Sequence, residues 1–127
     1  MSGRYLVDWY APMSLAKKLN LKDGMKIRVV GKPADVALDD VNQATRGADA
    51  ILVFVKTLEE LAAKGAPFIE AALADRIAWL AYPKAGQLGT DLNRDVLWKH
   101  LLKQGIQGVR QVAVDGVWSA MRFRPKS

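Results

Sequence analysis

The stretch from Arg76 to Arg124 constrains the fold most. It reads strand, loop, helix, strand, tight turn, strand: RIAWLAYP, KAGQLGT, DLNRDVLWKHLLKQ, VRQVAV, DG, VWSAMRFR. An apolar run that ends at a proline and is followed by a capped helical segment predicts a strand and its crossover. Asp115-Gly116 between two strand-like runs is a strong local hairpin signal. A two-residue turn there would set Val114 opposite Val117, Val112 opposite Ser119 and Arg110 opposite Met121.

The earlier chain extends the pattern. Ser14 is placed to cap a short helix, SLAKKLN, with Leu15 and Leu19 on one face. Asp23-Gly24 turns into the β-branched run 26–30, and Gly31-Lys32-Pro33 ends it because proline cannot donate to a ladder. Residues 34–48 are the least legible, with room for one helical turn and a short edge strand. The segment 48–55, ADAILVFV, is unbroken and apolar, as expected of a parallel strand covered on both faces. Thr57 and Glu60 form a capping box. The helix after it carries Leu58, Leu61, Ala62, Phe68, Ile69, Ala72 and Leu73 on one stripe. Gly65 and Pro67 predict a kink or two helices end to end. Thr90 or Asp91 is the expected cap of the next helix, which runs to about Gln104, with Gly105 as its left-handed stop.

Strands alternating with helices imply a mostly parallel sheet with crossovers, closed by an antiparallel hairpin at the C-terminus. The expectation is one α/β domain over 1–127, a three-layer sandwich of five or six strands in the order 2-1-3-4-6-5. Residues 1–13 are read as an N-terminal arm, in which Trp9 belongs to an aromatic segment, YLVDWY, that folds on the domain or docks on a partner.

The chain of 127 residues has no cysteine, which removes disulfides, thiolate nucleophiles and zinc-finger ligand sets together. The apolar runs 50–55 and 77–82 are far too short to span a bilayer. No targeting segment is visible near the start. A soluble, cytoplasmic protein with no membrane partner is expected. The net charge of +6 is concentrated at the ends: seven basic and two acidic residues in 1–33, nine and eleven in 34–115, and three basic residues in 116–127. A basic patch can attract nucleic acid. The basic residues are not interleaved with aromatics, however, so a solvated surface is the favoured reading.

The segments SLAKKLNLKDGMKIRV, ADAILVFV, WLAYPK followed by TDL, and the ending VDGVWSAMRFR resemble a small bacterial family of unknown function. Its members read as truncated, methyltransferase-like Rossmann domains. Asn20 and Asp23 depart from the glycine and proline common there, both at turn-like positions. The resemblance implies a Rossmann-like, methyltransferase-like fold and a bacterial cytosol. It implies no activity.

In open α/β sheets ligands sit beyond the carboxyl ends of the strands. The first such end, Gly31-Lys32-Pro33, lacks the G-x-G-x-x-G that lets a backbone approach a dinucleotide or S-adenosylmethionine. A plain turn, and no bound cofactor, is therefore expected. The loop from Lys84 to Asp91 is the better candidate. Gly86, Gly89 and Thr90 precede a helix start, where free N–H groups favour anions, and Lys84 adds a charge. Asp91 would oppose an anion, and a purely structural loop is the competing reading.

His100, the lone histidine, has no partnered nucleophile or ligand set, so neither a catalytic nor a metal role is assigned. Asp39-Asp40 and Glu59-Glu60 diverge as sequence neighbours and are read as solvated. Trp79, Trp98 and Trp118 are read as core. The favoured function is non-catalytic binding of a protein, a second copy or a small ligand. The alternatives are a reduced methyltransferase-like enzyme or anion or nucleotide binder using the 83–91 loop, and a nucleic-acid accessory protein.

Overall fold

The computed structural model describes residues 14–38 and 40–126. The aromatic arm and Asp39 lie outside the described residues. The elements are α1 (Leu15–Lys18), β1 (Ile27–Val30), β2 (Ala50–Phe54), α2 (Leu58–Lys64), α3 (Ala66–Leu73), β3 (Ile77–Pro83), α4 (Arg94–Leu102), β4 (Ile106–Ala113) and β5 (Trp118–Pro125).

The strands form one mixed sheet in the order β1-β2-β3-β5-β4. The β1–β2 and β2–β3 pairs are parallel. The β3–β5 and β5–β4 pairs are antiparallel. This is the order predicted from the sequence, with its tentative second strand reduced to a single parallel bridge between Ile27 and Gln43. The Ile27 N–H donates to the Asn42 carbonyl and its own carbonyl accepts from Ala44, so the bridge lies on the edge of β1 away from β2. The chain thus steps outward after β1 and then returns past it to β2. The helical turn considered for 34–38 is only a turn, closed by the Val36 N–H on the Pro33 carbonyl.

The two sheet faces are covered unequally. On one face α2, α3 and α4 contribute Leu61, Phe68, Ala72, Leu97 and Leu101, which pack against Val53, Leu80 and Phe123. On the other face Leu19 of the α1 end, with Val36 and Leu38 of the connection after β1, covers Leu52, Phe54, Trp79 and Trp118. The expected second helical layer is therefore one short helix and a loop. The sequence anticipated two-sided burial of β2 correctly, but a buried strand does not say whether a helix or a loop covers it. Trp79, with no exposed surface, donates its indole N–H to the Leu19 carbonyl at 3.0 Å and so holds the α1 end on the sheet. A one-turn helix needs such an anchor, because isolated helices this short are not stable in water.

Thr57 caps α2 as predicted, its Oγ1 accepting from the Glu60 N–H at 3.0 Å. Glu60 reaches back one residue further than in the usual box and accepts from the Lys56 N–H. Gly65 separates α2 from α3, as Gly65 and Pro67 suggested. Ala62 and Leu73 of the predicted stripe are exposed, since the break at Gly65 resets which residues face the sheet. Gly105, at φ 88°, ends the α4 segment as expected.

The hairpin departs from the predicted register. Val112 pairs with Ala120 and Arg110 with Arg122, one residue away from the two-residue-turn expectation. Asp115 and Gly116 are not in the left-handed region that such a turn requires. Instead the Asp115 carboxylate accepts from both the Val117 and Trp118 N–H groups at 2.8 Å, which lengthens the loop. The register shift between Gly108 and Arg110 then restores the predicted pairing, with Gly108 opposite Phe123.

One exposed ion pair closes the start of β3 against the end of β5. Arg124 Nε and Nη2 donate to the two Asp75 oxygens at 2.8 and 3.0 Å. The Arg124 hydrogen bond holds the Asp75 carboxyl below its ordinary 3.8. A depressed carboxyl pKa contributes stability that is present above the unfolded-state value and lost as pH falls through the folded one. Melting temperature should therefore drop below about pH 4 partly through Asp75, and Asp75→Asn should flatten that acid limb slightly. An unchanged pH–melting profile in Asp75→Asn would show that the pair is energetically silent, as many exposed pairs are.

Candidate functional site

The carboxyl ends of β1 and β3 differ in what they leave open. At β1 the strand leaves the sheet through a tight turn. Gly31 has φ 73°, and a Cβ there would lie 2.9 Å from the Phe54 carbonyl oxygen and 3.3 Å from Lys64 Nζ. The Lys32 ammonium donates to the Val36 and Pro33 carbonyls at 2.7 and 3.0 Å. It is thus folded onto its own loop. Gly31 and Lys32 are a tight exit from the strand, and Gly31 also borders the groove along the outer edge of β1. Gly31→Ala should cost about 1–3 kcal/mol, because it adds both left-handed strain and a clash with backbone. Urea unfolding measures it, and an unchanged midpoint would mean the exit loop relaxes freely.

The 84–91 loop is divided. Thr90 and Asp91 turn away from α4 and tie the loop to the end of β2: Thr90 Oγ1 donates to the Lys56 carbonyl and Asp91 Oδ1 accepts from the Leu58 N–H at 3.1 Å. Asp91 thereby helps satisfy the start of α2, across 33 residues of sequence. The expected cap of α4 at Thr90 or Asp91 is therefore corrected to Asn93, whose side chain accepts from the Val96 N–H at 2.9 Å. Gly86 and Gly89 adopt φ of 81° and 66° in an exposed turn ahead of Thr90. They serve the turn and do not border the helix start.

Lys84 does reach that start. Its backbone N–H is fixed on the Val117 carbonyl at 2.7 Å, and its side chain lines a cleft of about 400 Å³ with Tyr82, Asn93, Arg94, Gln111 and Ser119. Tyr82 and Ser119 are direct partners across the β3–β5 ladder. They form the floor, at 2% and 6% exposure. The Tyr82 oxygen accepts from Gln111 Nε2 at 2.9 Å, which leaves its own proton free to donate into the cleft. Burial pushes the Tyr82 pKa above its ordinary 10.0, against smaller opposing effects of Arg94 and of the Gln111 hydrogen bond. The hydroxyl stays protonated at neutral pH.

Ser119 is the one buried polar or charged residue outside the aromatic class among the described residues. Asp95 lies at the rim and offsets one of the two cations, Lys84 and Arg94. Among the described residues, the only ion pair is Arg124 with Asp75, so both cations are available.

Sequence reasoning found Lys84 but missed Tyr82, Arg94, Gln111 and Ser119. Tyr82 and Ser119 meet through the β3–β5 register, which no local signal fixes, and Gln111 joins them through the β4–β5 register that the two-residue turn misjudged. Trp98 was read as core and is 38% exposed beside this cleft, while Trp79 and Trp118 are buried as expected. His100 sits in the last turn of α4, at the opposite end of the helix from the cleft. Asp40 accepts from the Ala16 N–H and Glu60 from Lys56, structural tasks for two residues read as solvated.

Two further openings carry less chemistry. One, of about 440 Å³, lies at the amino ends of β2 and β3, and there Arg76 already donates to the Ala48 carbonyl at 2.6 Å. The other, of about 850 Å³, is an open groove along the outer edge of β1 that reaches Gly31 and is lined by Arg28, Thr45 and Arg46. Among the described residues, no helix is long and apolar enough to cross a membrane. No group of histidine, cysteine or carboxylate side chains among them could hold a metal ion.

No family model matches this chain, and no curated protein matches it.

Proposed function

We propose that this chain is a non-catalytic binding domain whose small-ligand site is the Tyr82–Lys84–Arg94–Ser119 cleft, and that the ligand is an anion. One observation carries the reading. Two almost fully buried hydroxyls, Tyr82 and Ser119, face one cleft with protons to donate, flanked by two cations free of carboxylate partners. Charge-assisted hydrogen bonds of this kind are about twice as strong as neutral ones. The start of α4 adds N–H groups and the positive end of its dipole. No histidine lines the cleft to serve Ser119 as a base, and the two cations suit holding an anion.

The fold reading that accompanies this is Rossmann-like and methyltransferase-like in its terminal hairpin, in line with the family resemblance in the sequence. The outward step after β1 and the return to β2 support it. The Gly31–Lys32 exit, with one glycine and a lysine folded onto its own loop, argues against the reduced-enzyme alternative with S-adenosylmethionine or NAD, and neither compound should raise the melting temperature. Docking of a protein or a second copy has a less favourable surface. The edge strand β4 is bent by its register shift and carries Arg110, both of which disfavour strand pairing. Nucleic-acid binding would show as a strongly salt-dependent mobility shift.

The test is a thermal melt with phosphate or sulfate in a cationic buffer at constant ionic strength. Saturation to one hundred times the dissociation constant adds about 2.7 kcal/mol. Lys84→Ala should weaken this stabilisation without changing the ligand-free melting temperature. Equal stabilisation of wild type and Lys84→Ala would refute the assignment.

A further inference from the structure

The anion cleft does not end at Arg94 and Gln111. Both residues also line a second groove of about 230 Å³, whose other walls are Trp98, Gly108, Val109, Arg110 and Met121. Arg94 and Trp98 are four residues apart on α4 and so lie on the same side of the helix. Gly108 lets the Trp98 ring and the Met121 sulfur pack directly against the β4 backbone, which forms the inner wall of the groove. A Cβ at Gly108 would lie 2.6 Å from the Met121 sulfur and 3.3 Å from the Trp98 ring. Val109 sits within the register shift of β4 and is 47% exposed, although it is a large apolar residue on a strand. A polar pocket with cations and hydroxyl donors thus adjoins, through Arg94 and Gln111, a shelf bearing a partly exposed indole and Val109, with Arg110 beside them.

We infer that the ligand is a small organic anion with two parts, a single phosphate or carboxylate group joined to a planar ring. The anionic group sits between Lys84, Arg94 and the Tyr82 and Ser119 hydroxyls. The ring lies on Trp98 and against Val109 and Met121. Aromatic surfaces pair favourably beyond their simple burial, and methionine sulfur favours ring contacts. Arg94 stands at the junction, so one guanidinium can bond the anion and border the ring. This inference rests on the anion-site reading above and deepens it by naming the ligand class.

Calorimetric titration of the full chain with inorganic phosphate, phenyl phosphate and benzoate separates the two claims. Phenyl phosphate is expected to bind at least about tenfold more tightly than inorganic phosphate, the gain of roughly one aromatic contact. Comparison of phenyl phosphate with benzoate then reads which anionic group the polar cleft prefers, and a ring-bearing anion of either kind that outperforms phosphate supports the inference. Trp98→Ala should bring phenyl phosphate down to the affinity of inorganic phosphate while leaving the latter unchanged. Val109→Ser, at an exposed position, provides the same comparison independently of any effect of Trp98 on folding. If inorganic phosphate binds and neither ring compound binds more tightly, the ring shelf is refuted and the anion site stands. If Trp98→Ala weakens all ligands equally, the shelf is likewise refuted. If no ligand binds, the anion site itself is refuted and the inference falls with it.

Discussion

Trp79→Ala is expected to lower the unfolding free energy by about 3–5 kcal/mol, the range for deleting a fully buried large aromatic. Trp79 is completely buried on the sheet face that has no long helix over it. Its removal leaves a cavity among Leu19, Leu52, Ala81 and Trp118 that a loop and a single helical turn fill poorly. It also removes the indole donor to the Leu19 carbonyl. That carbonyl lies at the end of α1, so the helix loses its attachment as well as its packing. For a domain with a total stability of about 5–15 kcal/mol, this is a large fraction. Equilibrium urea unfolding followed by far-ultraviolet circular dichroism measures it. Trp79→Phe, which keeps most of the apolar volume and loses the donor, should cost clearly less. Equal losses for the two variants would show that the hydrogen bond, and not the volume, anchors α1.

Combined replacement of Lys84 and Arg94 by alanine is expected to weaken anion binding by about a hundredfold or more. Hydrogen bonds to charged groups contribute about 1.5–3 kcal/mol each, and two lost contacts exceed the 2.8 kcal/mol that corresponds to a hundredfold. Asp95 would then be the remaining charge at the rim and would repel the ligand. The fold should persist, because both side chains are at the surface and neither pairs with a carboxylate among the described residues. Charge reversal of Asp95, Asp95→Lys, should have the opposite effect and tighten binding. A double variant that binds phosphate as well as wild type would remove the electrostatic basis of the site.

The architecture was largely readable from the sequence because it is encoded locally. Unbroken apolar runs mark β2 and β3, Ser14 and Thr57 mark helix starts, and Gly105 marks a helix end. The five strands and their order follow from these signals and from the preference for parallel crossovers. What escaped prediction depends on contacts between distant residues. Asp91 looked like a local cap for the helix three residues on, yet it serves α2, reached only after β2 and β3 are side by side. Asp115-Gly116 signalled a two-residue turn, but the Asp115 carboxylate binds two backbone N–H groups and lengthens the loop. That one-residue change, compensated by the shift at Gly108–Arg110, sets Ser119 opposite Ala113, while its pairing with Tyr82 comes from the non-local β3–β5 register. The cleft floor was therefore invisible to local reasoning, and only Lys84, placed by its position after a strand, could be picked out. Trp98 misled for a similar reason: apolar residues on a helix suggest core, and its ring does pack against β4 at Gly108, ten residues later, yet it stays 38% exposed at the edge of the sheet.

The location of the anion is the central claim, and amide chemical-shift mapping tests it most directly. Titrating phosphate into isotopically labelled protein at low ionic strength should move the backbone resonances of Lys84, Arg94, Asp95 and Ser119 together, with one common dissociation constant. The amides of Gly31 and Lys32 should stay in place. A saturable response centred on Gly31–Lys32, or on the basic face of α1 with the Ser119 and Arg94 amides unmoved, would contradict the site.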